Sequence, residues 1–98
     1  MMDTEQLKQR IAEDDVSAYE LLCDVMPTAA SRFYRTTNTL AKLLKEVREH
    51  YPDAIFYTAG GDGFSLILGD THSGRSASPN QELSALTATK LTCRGGDW

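Results

Sequence analysis

Residues 54–68 read Ala-Ile-Phe-Tyr-Thr-Ala-Gly-Gly-Asp-Gly-Phe-Ser-Leu-Ile-Leu, and this stretch decides the fold class of the chain. Two runs of apolar and β-forming residues, 54–58 and 64–68, flank a segment that holds three glycines and an aspartate. Such residues supply the positive φ angles that a short hairpin loop requires. The stretch therefore predicts an antiparallel β-hairpin, whose nearly continuous apolar strands must be covered on at least one face.

Two helices are predicted at the start of the chain. The first runs from about Thr4 to Glu13 and carries only a thin apolar face. The second begins at Ser17, where Glu20 stands at the reciprocal position of a capping box, and it ends before Pro27. We expect this second helix to bury four side chains, those of Tyr19, Leu22, Val25 and Met26.

A third helix is predicted over residues 28–50, with a break at the β-branched pair Thr36-Thr37. Its second part is strongly amphipathic, because apolar residues recur at helical spacing from Leu40 to Tyr51. Pro52 then ends the element. We expect one core shared by this helix and the hairpin, formed by Leu40, Leu43, Leu44, Val47, Phe56, Phe64, Leu66 and Leu68.

The residues after the hairpin predict less regular structure. Ser78-Pro79-Asn80-Gln81 is typical of a helix start and predicts a short helix over 79–87. Residues 88–93 are a candidate third strand, and 94–98 form a flexible tail. The expected fold class is therefore α+β: three N-terminal helices, an antiparallel β-hairpin, a short helix and a candidate third strand.

Composition and charge limit the class of protein. A chain of 98 residues with 41% hydrophobic and 24% charged side chains is typical of a single small globular domain, here 1–98. No apolar run is long enough to span a bilayer, and the acidic residues 1–5 do not resemble a secretory signal. We expect a soluble cytoplasmic protein without a membrane partner, in which Cys23 and Cys93 stay reduced.

The sequence contains no pattern typical of an enzyme. It lacks the phosphate-binding glycine loops that open a helix, and it lacks the Gly-x-Ser-x-Gly turn that presents a nucleophilic serine. Asp70 and His72 stand at metal-ligand spacing, but no second histidine or cysteine pair completes a tetrahedral set. We therefore predict no catalytic residue, no bound cofactor and no metal site.

The loop of the hairpin resembles a known signature. Gly60-Gly61-Asp62 between two apolar strands is similar to the Gly-Gly-Asp/Glu-Glu-Phe hairpin of the diguanylate cyclases, over about a dozen residues. This chain has Gly63 where that family has its second acidic residue. Because the same residues make a good hairpin turn, we rank a degenerate nucleotide-binding or cyclase-like hairpin last among the functional interpretations.

The middle of the chain is its basic part. Residues 27–50 carry five basic and two acidic side chains, whereas residues 1–26 carry seven acidic and two basic ones. Three helices followed by an apolar hairpin resemble a winged-helix domain in element order, which implies a DNA-recognition helix over 28–40. The side chains suited to contact phosphates and base edges there are Ser31, Arg32, Arg35, Thr36 and Asn38.

The same helix allows a structural interpretation. Arg32 and Arg35 could pair with the acidic first helices, while Phe33 and Tyr34 join the core. The acidic Asp62 at the tip of the hairpin and the net charge of −4 disfavour DNA binding, because both repel phosphate. Nucleic acid is therefore the alternative partner and not the first one.

The favoured function is a binding or regulatory role through protein–protein contacts, with a protein partner or a homo-oligomer. The uneven charge suits electrostatic steering of a partner, and Trp98 is a candidate partner contact because tryptophan is enriched at binding hot spots. In its general character, a compact acidic domain without site chemistry, the chain resembles small accessory proteins of bacteriophages and prophages.

Overall fold

The computed structural model describes residues 1–58 and 63–94, and these contain both helices and small antiparallel sheets. This agrees with the α+β class predicted above. The chain divides into two compact units, Met1–Thr39 and Leu40–Trp98. Among the described helices, none combines the length and the apolar character needed to cross a lipid bilayer.

Helices α1 and α2 both begin with a capping box. In α1 (Thr4–Asp14) the reciprocal pair is Asp3 and Gln6, with the Gln6 amide donating to Asp3 Oδ1 at 2.9 Å. In α2 (Ala18–Val25) the Glu20 amide donates to Ser17 Oγ at 3.1 Å, and the Ser17 amide donates to Glu20 Oε2 at 2.9 Å. The capping box predicted from the spacing of Ser17 and Glu20 is therefore confirmed.

Helix α3 (Ala29–Arg48) is continuous, so the predicted break at Thr36-Thr37 is wrong. The hydroxyl of Thr36 donates to the carbonyl of Arg32 at 2.9 Å, and that of Thr37 donates to the carbonyl of Tyr34 at 3.2 Å. Both threonines thus satisfy their polar groups on the preceding turn of their own helix.

Three antiparallel strands form the main sheet of the second unit. They are β1 (Ile55–Tyr57), β2 (Phe64–Ile67) and β5 (Ser84–Ala88), and their order in the sheet is β1-β2-β5. The short strands β3 (His72–Ser73) and β4 (Ser78–Pro79) pair with each other in a separate two-stranded sheet. The register sets Phe56 opposite Leu66 and Leu66 opposite Leu86. β2 is therefore the central strand and is paired on both sides.

The predicted helix over 79–87 and the candidate strand over 88–93 are both wrong. Pro79 lies in β4 opposite His72, and helical structure is limited to the single 3-10 turn Gln81–Leu83. The Asn80 side chain is held outside a helix, because its Nδ2 donates to the Asp70 carbonyl at 2.9 Å and its Oδ1 accepts from Ser73 Oγ at 3.0 Å. The third strand of the sheet is instead β5, since the apolar residues of β2 need a second neighbour.

The core is smaller than the sequence predicts. Only Ala54, Leu66 and Ile67 are buried among the described apolar residues. Leu43, expected in the shared core, is 42% exposed. The other expected core residues are half-buried: Leu40, Leu44, Val47, Phe56, Phe64 and Leu68.

Candidate functional site

The first candidate is the polar face of α3. Ser31, Arg35 and Asn38 lie one below the other at helical period, and Arg32 lies beside them. All four side chains are exposed, in agreement with a surface that could meet a partner. Thr36, the fifth residue predicted to contact nucleic acid, is exposed one turn after Arg32, and its hydroxyl donates to the Arg32 carbonyl at 2.9 Å. The Ser31 hydroxyl is bonded to the backbone in the same way, since it donates to the Thr28 carbonyl at 3.1 Å. The structure therefore places all five predicted residues at exposed positions of one helix.

The arginines of this face are not neutralised by the acidic helices. The ion pair of Arg10 with Asp14 lies within α1, and no ion pair of the described residues joins α1 or α2 to Arg32 or Arg35. The structural interpretation in which Arg32 and Arg35 pair with α1 and α2 is therefore wrong in the described part of the chain. The two guanidinium groups stay available to a ligand of opposite charge.

The second candidate is an apolar surface in the first unit, which we name the α2–α3 apolar surface. Its members are large side chains exposed to solvent: Tyr19, Leu22, Val25, Met26, Phe33 and Tyr34. Val25 is 78% exposed and Phe33 64% exposed, whereas the sequence predicts that the α2 side chains are buried and that Phe33 and Tyr34 join the core. No residue of the three helices is buried. Exposed apolar side chains that lie together are the usual mark of an interaction surface.

The reason for this exposure lies in the shortness of the elements. Helix α2 has eight residues, and α1 offers it few apolar partners because its sequence carries mainly charged and amide side chains. A wide apolar face on two helical turns cannot be covered by such a neighbour. Sequence periodicity identifies which face is apolar, but it does not show whether the chain itself supplies a cover.

Aromatic groups give this surface a defined shape. The rings of Phe33 and Tyr34 meet edge to face, with centroids 5.6 Å apart and planes at 83°. Interaction with the Cys23 side chain, first through a hydrogen bond and then through its charge, raises the pKa of Tyr19 above the ordinary value of 10.0, and desolvation and the nearby Tyr34 act in the same direction. The surface is therefore uncharged at neutral pH, with phenol hydroxyls as polar groups.

A third candidate is an open pocket of about 440 Å³ on one face of the sheet. The rings of Tyr57 and His72 are in edge-to-face contact, with their planes at 83° and their centroids 6.3 Å apart. The His72 Nδ1 lies 3.0 Å from Thr71 Oγ1, and the Asn80 side chain is hydrogen-bonded to the Ser73 hydroxyl and the Asp70 carbonyl. The lining carries no carboxylate, lysine or arginine: Tyr57, Ser65, Ile67, Thr71, His72, Pro79, Asn80, Gln81 and Ser84.

The residues that the structure describes do not assemble a metal site. Within 1–58 and 63–94, no three histidine, cysteine or acidic side chains are placed to hold a metal ion. Asp70 and His72 are not joined there by a third ligand, and Cys93 is a free, half-buried thiol.

Three of the predicted features lie outside the described residues. They are the Gly60-Gly61-Asp62 segment that resembles the cyclase hairpin, the tail after Arg94, and Trp98, the candidate partner contact. Comparison with known proteins finds no matching family model, no matching curated protein and no matching solved structure.

Proposed function

We propose that this protein is a small non-catalytic binding module that acts through protein–protein contacts at the α2–α3 apolar surface. One observation carries the proposal: six large apolar or aromatic side chains, five in helices and Met26 directly after α2, are exposed, and these helices bury none of their own residues. Aromatic and large aliphatic groups are the usual anchors of protein interfaces.

The free energy gained by burying these side chains is large enough to support binding. Complete burial of a valine, leucine or phenylalanine side chain contributes about 1.5–3 kcal/mol. Burial of only Val25, Phe33 and Tyr34 against a partner would therefore add several times the thermal energy to the free energy of association. Part of this gain is offset by the loss of translational and side-chain freedom.

The charge around the surface indicates the chemistry of the partner. Exposed carboxylates precede α2 at Glu13, Asp14 and Asp15 and lie within it at Glu20 and Asp24, and of these Asp14 is paired with Arg10. We therefore expect an amphipathic helix whose apolar face covers the surface and whose polar face carries lysine and arginine. Such a module suits a cytoplasmic regulatory role, in which the free thiols Cys23 and Cys93 remain reduced.

The test uses two designed helical peptides with the same leucine face, one with lysine and one with glutamate on the polar face. Fluorescence anisotropy of labelled peptide should show binding of the lysine peptide and a much weaker interaction with the glutamate peptide. Val25→Asp and Phe33→Asp should each weaken the lysine peptide strongly, because each places a charge in the apolar contact. The matched control, Ser31→Asp on the polar face of α3, should leave binding nearly unchanged.

The proposal fails if neither peptide binds, if both bind equally, or if the control and the surface variants behave alike. Circular dichroism of each variant shows whether the helices are retained, so that a loss of fold is not taken for a loss of contact.

DNA binding is the second candidate, and the exposed polar face of α3 is the observation that favours it. Arg32 and Arg35 have no acidic partner in the described part of the chain, and both are exposed. Two such cations on one helix are suited to phosphate contacts.

A further inference from the structure

The open pocket of about 440 Å³ lies between two walls of the second unit. One wall is a face of the main sheet, where Tyr57 lies opposite Ser65 and Ile67 follows on the same side of β2. The other wall is the small sheet of β3 and β4, which contributes His72 and Pro79, paired opposite each other. The volume lies within the range of about 300–1,000 Å³ that is typical of small-molecule sites.

Hydrogen bonds fix the wall that β3 and β4 form. The Asn80 amide donates to the Thr71 carbonyl at 2.8 Å, and the Asn80 side chain is bonded to Asp70 and Ser73. The contact between the Thr71 hydroxyl and His72 Nδ1 orients the imidazole ring. The pocket is therefore formed before a ligand enters, and binding does not have to order it.

The aromatic rings of the pocket favour a flat ligand. Tyr57 and His72 are both exposed, and their rings stand nearly perpendicular to each other. A planar ring that stacks on one of them directs its edge towards the face of the other, so both favoured aromatic geometries are satisfied at once. Ile67, which is buried, adds an apolar contact to the lining.

Three polar side chains of the lining have no hydrogen bond to another described residue, and these belong to Tyr57, Gln81 and Ser84. A carboxamide and two hydroxyls both donate and accept, which suits the ring nitrogens and amino groups at the edge of a heteroaromatic ring. Because Gln81 and Ser84 come from the segment that joins β4 to β5, they lie together in the chain as well as in the pocket.

The lining also limits the charge of the ligand. Among the described residues that line the pocket, none is a lysine, arginine, aspartate or glutamate. A phosphate, carboxylate or ammonium group would lose part of its hydration there without meeting an opposite charge. The lining thus favours a ligand without net charge.

We propose that this pocket binds an uncharged heteroaromatic base of purine size, carried by a nucleoside without phosphate groups. The base stacks on the Tyr57 ring with its edge towards His72, and its polar edge bonds to the Gln81 carboxamide and the Ser84 hydroxyl. This site shares no residue with the α2–α3 apolar surface and does not depend on the function proposed for that surface.

Titration of the complete chain with adenosine, followed by two-dimensional amide NMR, tests the proposal. The amides of His72 and Gln81 should shift and reach saturation at millimolar adenosine. Ribose, which carries no base, should give no saturating shift. Adenosine monophosphate should bind no more tightly than adenosine, because no lysine or arginine is found among the described lining residues. No saturation with adenosine, an equal response to ribose, or tighter binding of the monophosphate would overturn the proposal.

Variants of the lining test the position of the base. Tyr57→Ala should raise the dissociation constant for adenosine about tenfold or more, because it removes the stacking surface, whereas Tyr57→Phe keeps the ring and should change it much less. The matched control Tyr51→Ala removes an exposed tyrosine outside the lining and should have no effect. Equal affinities of Tyr57→Ala and the original chain, or equal losses in Tyr57→Ala and Tyr51→Ala, would refute this position.

A second substitution protects the test against a loss of fold. Gln81 is exposed, so Gln81→Ala should keep the fold and still weaken adenosine binding several-fold. Unchanged binding in Gln81→Ala would overturn the assigned polar contact. Val25→Asp, which tests the α2–α3 apolar surface, should leave adenosine binding unchanged, and Gln81→Ala should leave binding of the lysine peptide unchanged. Each proposal can therefore fail without the other.

Discussion

The Nε atom of Arg48 donates a hydrogen bond of 2.7 Å to the carbonyl oxygen of Ala54, a residue with no exposed surface. This contact joins the last residue of α3 to the residue that precedes β1. A charged donor thereby satisfies a backbone group at a point where the chain is inaccessible to water.

Arg48→Ala should lower the free energy of unfolding by about 1–3 kcal/mol, because the Ala54 carbonyl would lose its charged donor. Urea denaturation followed by circular dichroism measures this. Lys45→Ala removes another exposed cation from α3 without breaking such a bond, and its effect should stay within about 0.5 kcal/mol. Equal losses for the two variants would show that the hydrogen bond contributes nothing specific.

Leu66→Ala should cost about 2–5 kcal/mol, because Leu66 is buried in the central strand and the substitution leaves a cavity. Leu43→Ala should cost less, since Leu43 is 42% exposed and loses less contact. Thermal and urea unfolding of both variants give the comparison. A larger loss for Leu43→Ala would mean that the helix, and not the sheet, holds the core of this unit together.

Arg32→Ala/Arg35→Ala should abolish any binding to mixed-sequence duplex DNA, and the affinity of the original chain should fall steeply with added salt. The control Lys8→Ala/Arg10→Ala removes two cations from α1 and should have a smaller effect. Anisotropy with labelled duplex measures both. If the original chain gives no salt-sensitive signal at micromolar concentration, DNA is not a partner.

Tyr19 should titrate above the ordinary tyrosine value of 10.0, mainly because of its interaction with Cys23. The folded state then holds this proton more tightly than the unfolded state does. The resulting stabilisation is complete below the unfolded pKa and is lost as the pH rises through the folded pKa. The difference between phenolate absorbance curves of the original chain and Tyr19→Phe isolates this group, and Cys23→Ala should move it back towards 10.0. A difference curve centred at or below 10.0 would contradict the expectation.

Local patterns in the sequence were sufficient where the interaction is itself local. Ser17 and Glu20 predict the capping box because both partners lie within one turn of the same helix. The two runs of β-forming residues predict β1 and β2 because each strand pairs with the next run along the chain. Pro79 was misleading because its fixed φ suits the first turn of a helix as well as a strand end, and the distant contact of Asn80 with Asp70 decides between them.

The candidate surface could be predicted only in part. Periodicity identifies Tyr19, Leu22 and Met26 as one side of α2, but burial depends on what the rest of the chain supplies. On α3, helical spacing was sufficient to predict that Ser31, Arg35 and Asn38 lie on one polar face. Spacing does not show that the hydroxyls of Ser31 and Thr36 are bonded to the backbone of their own helix.

The central position of β2 has a consequence for amide hydrogen exchange. Because β2 is paired on both sides, the backbone amides of Ser65 and Leu66 should exchange only when the whole sheet opens. The helices bury no residue, so their amides should exchange through smaller local openings. A ligand on the α2–α3 apolar surface should then slow exchange in α2 and the first half of α3.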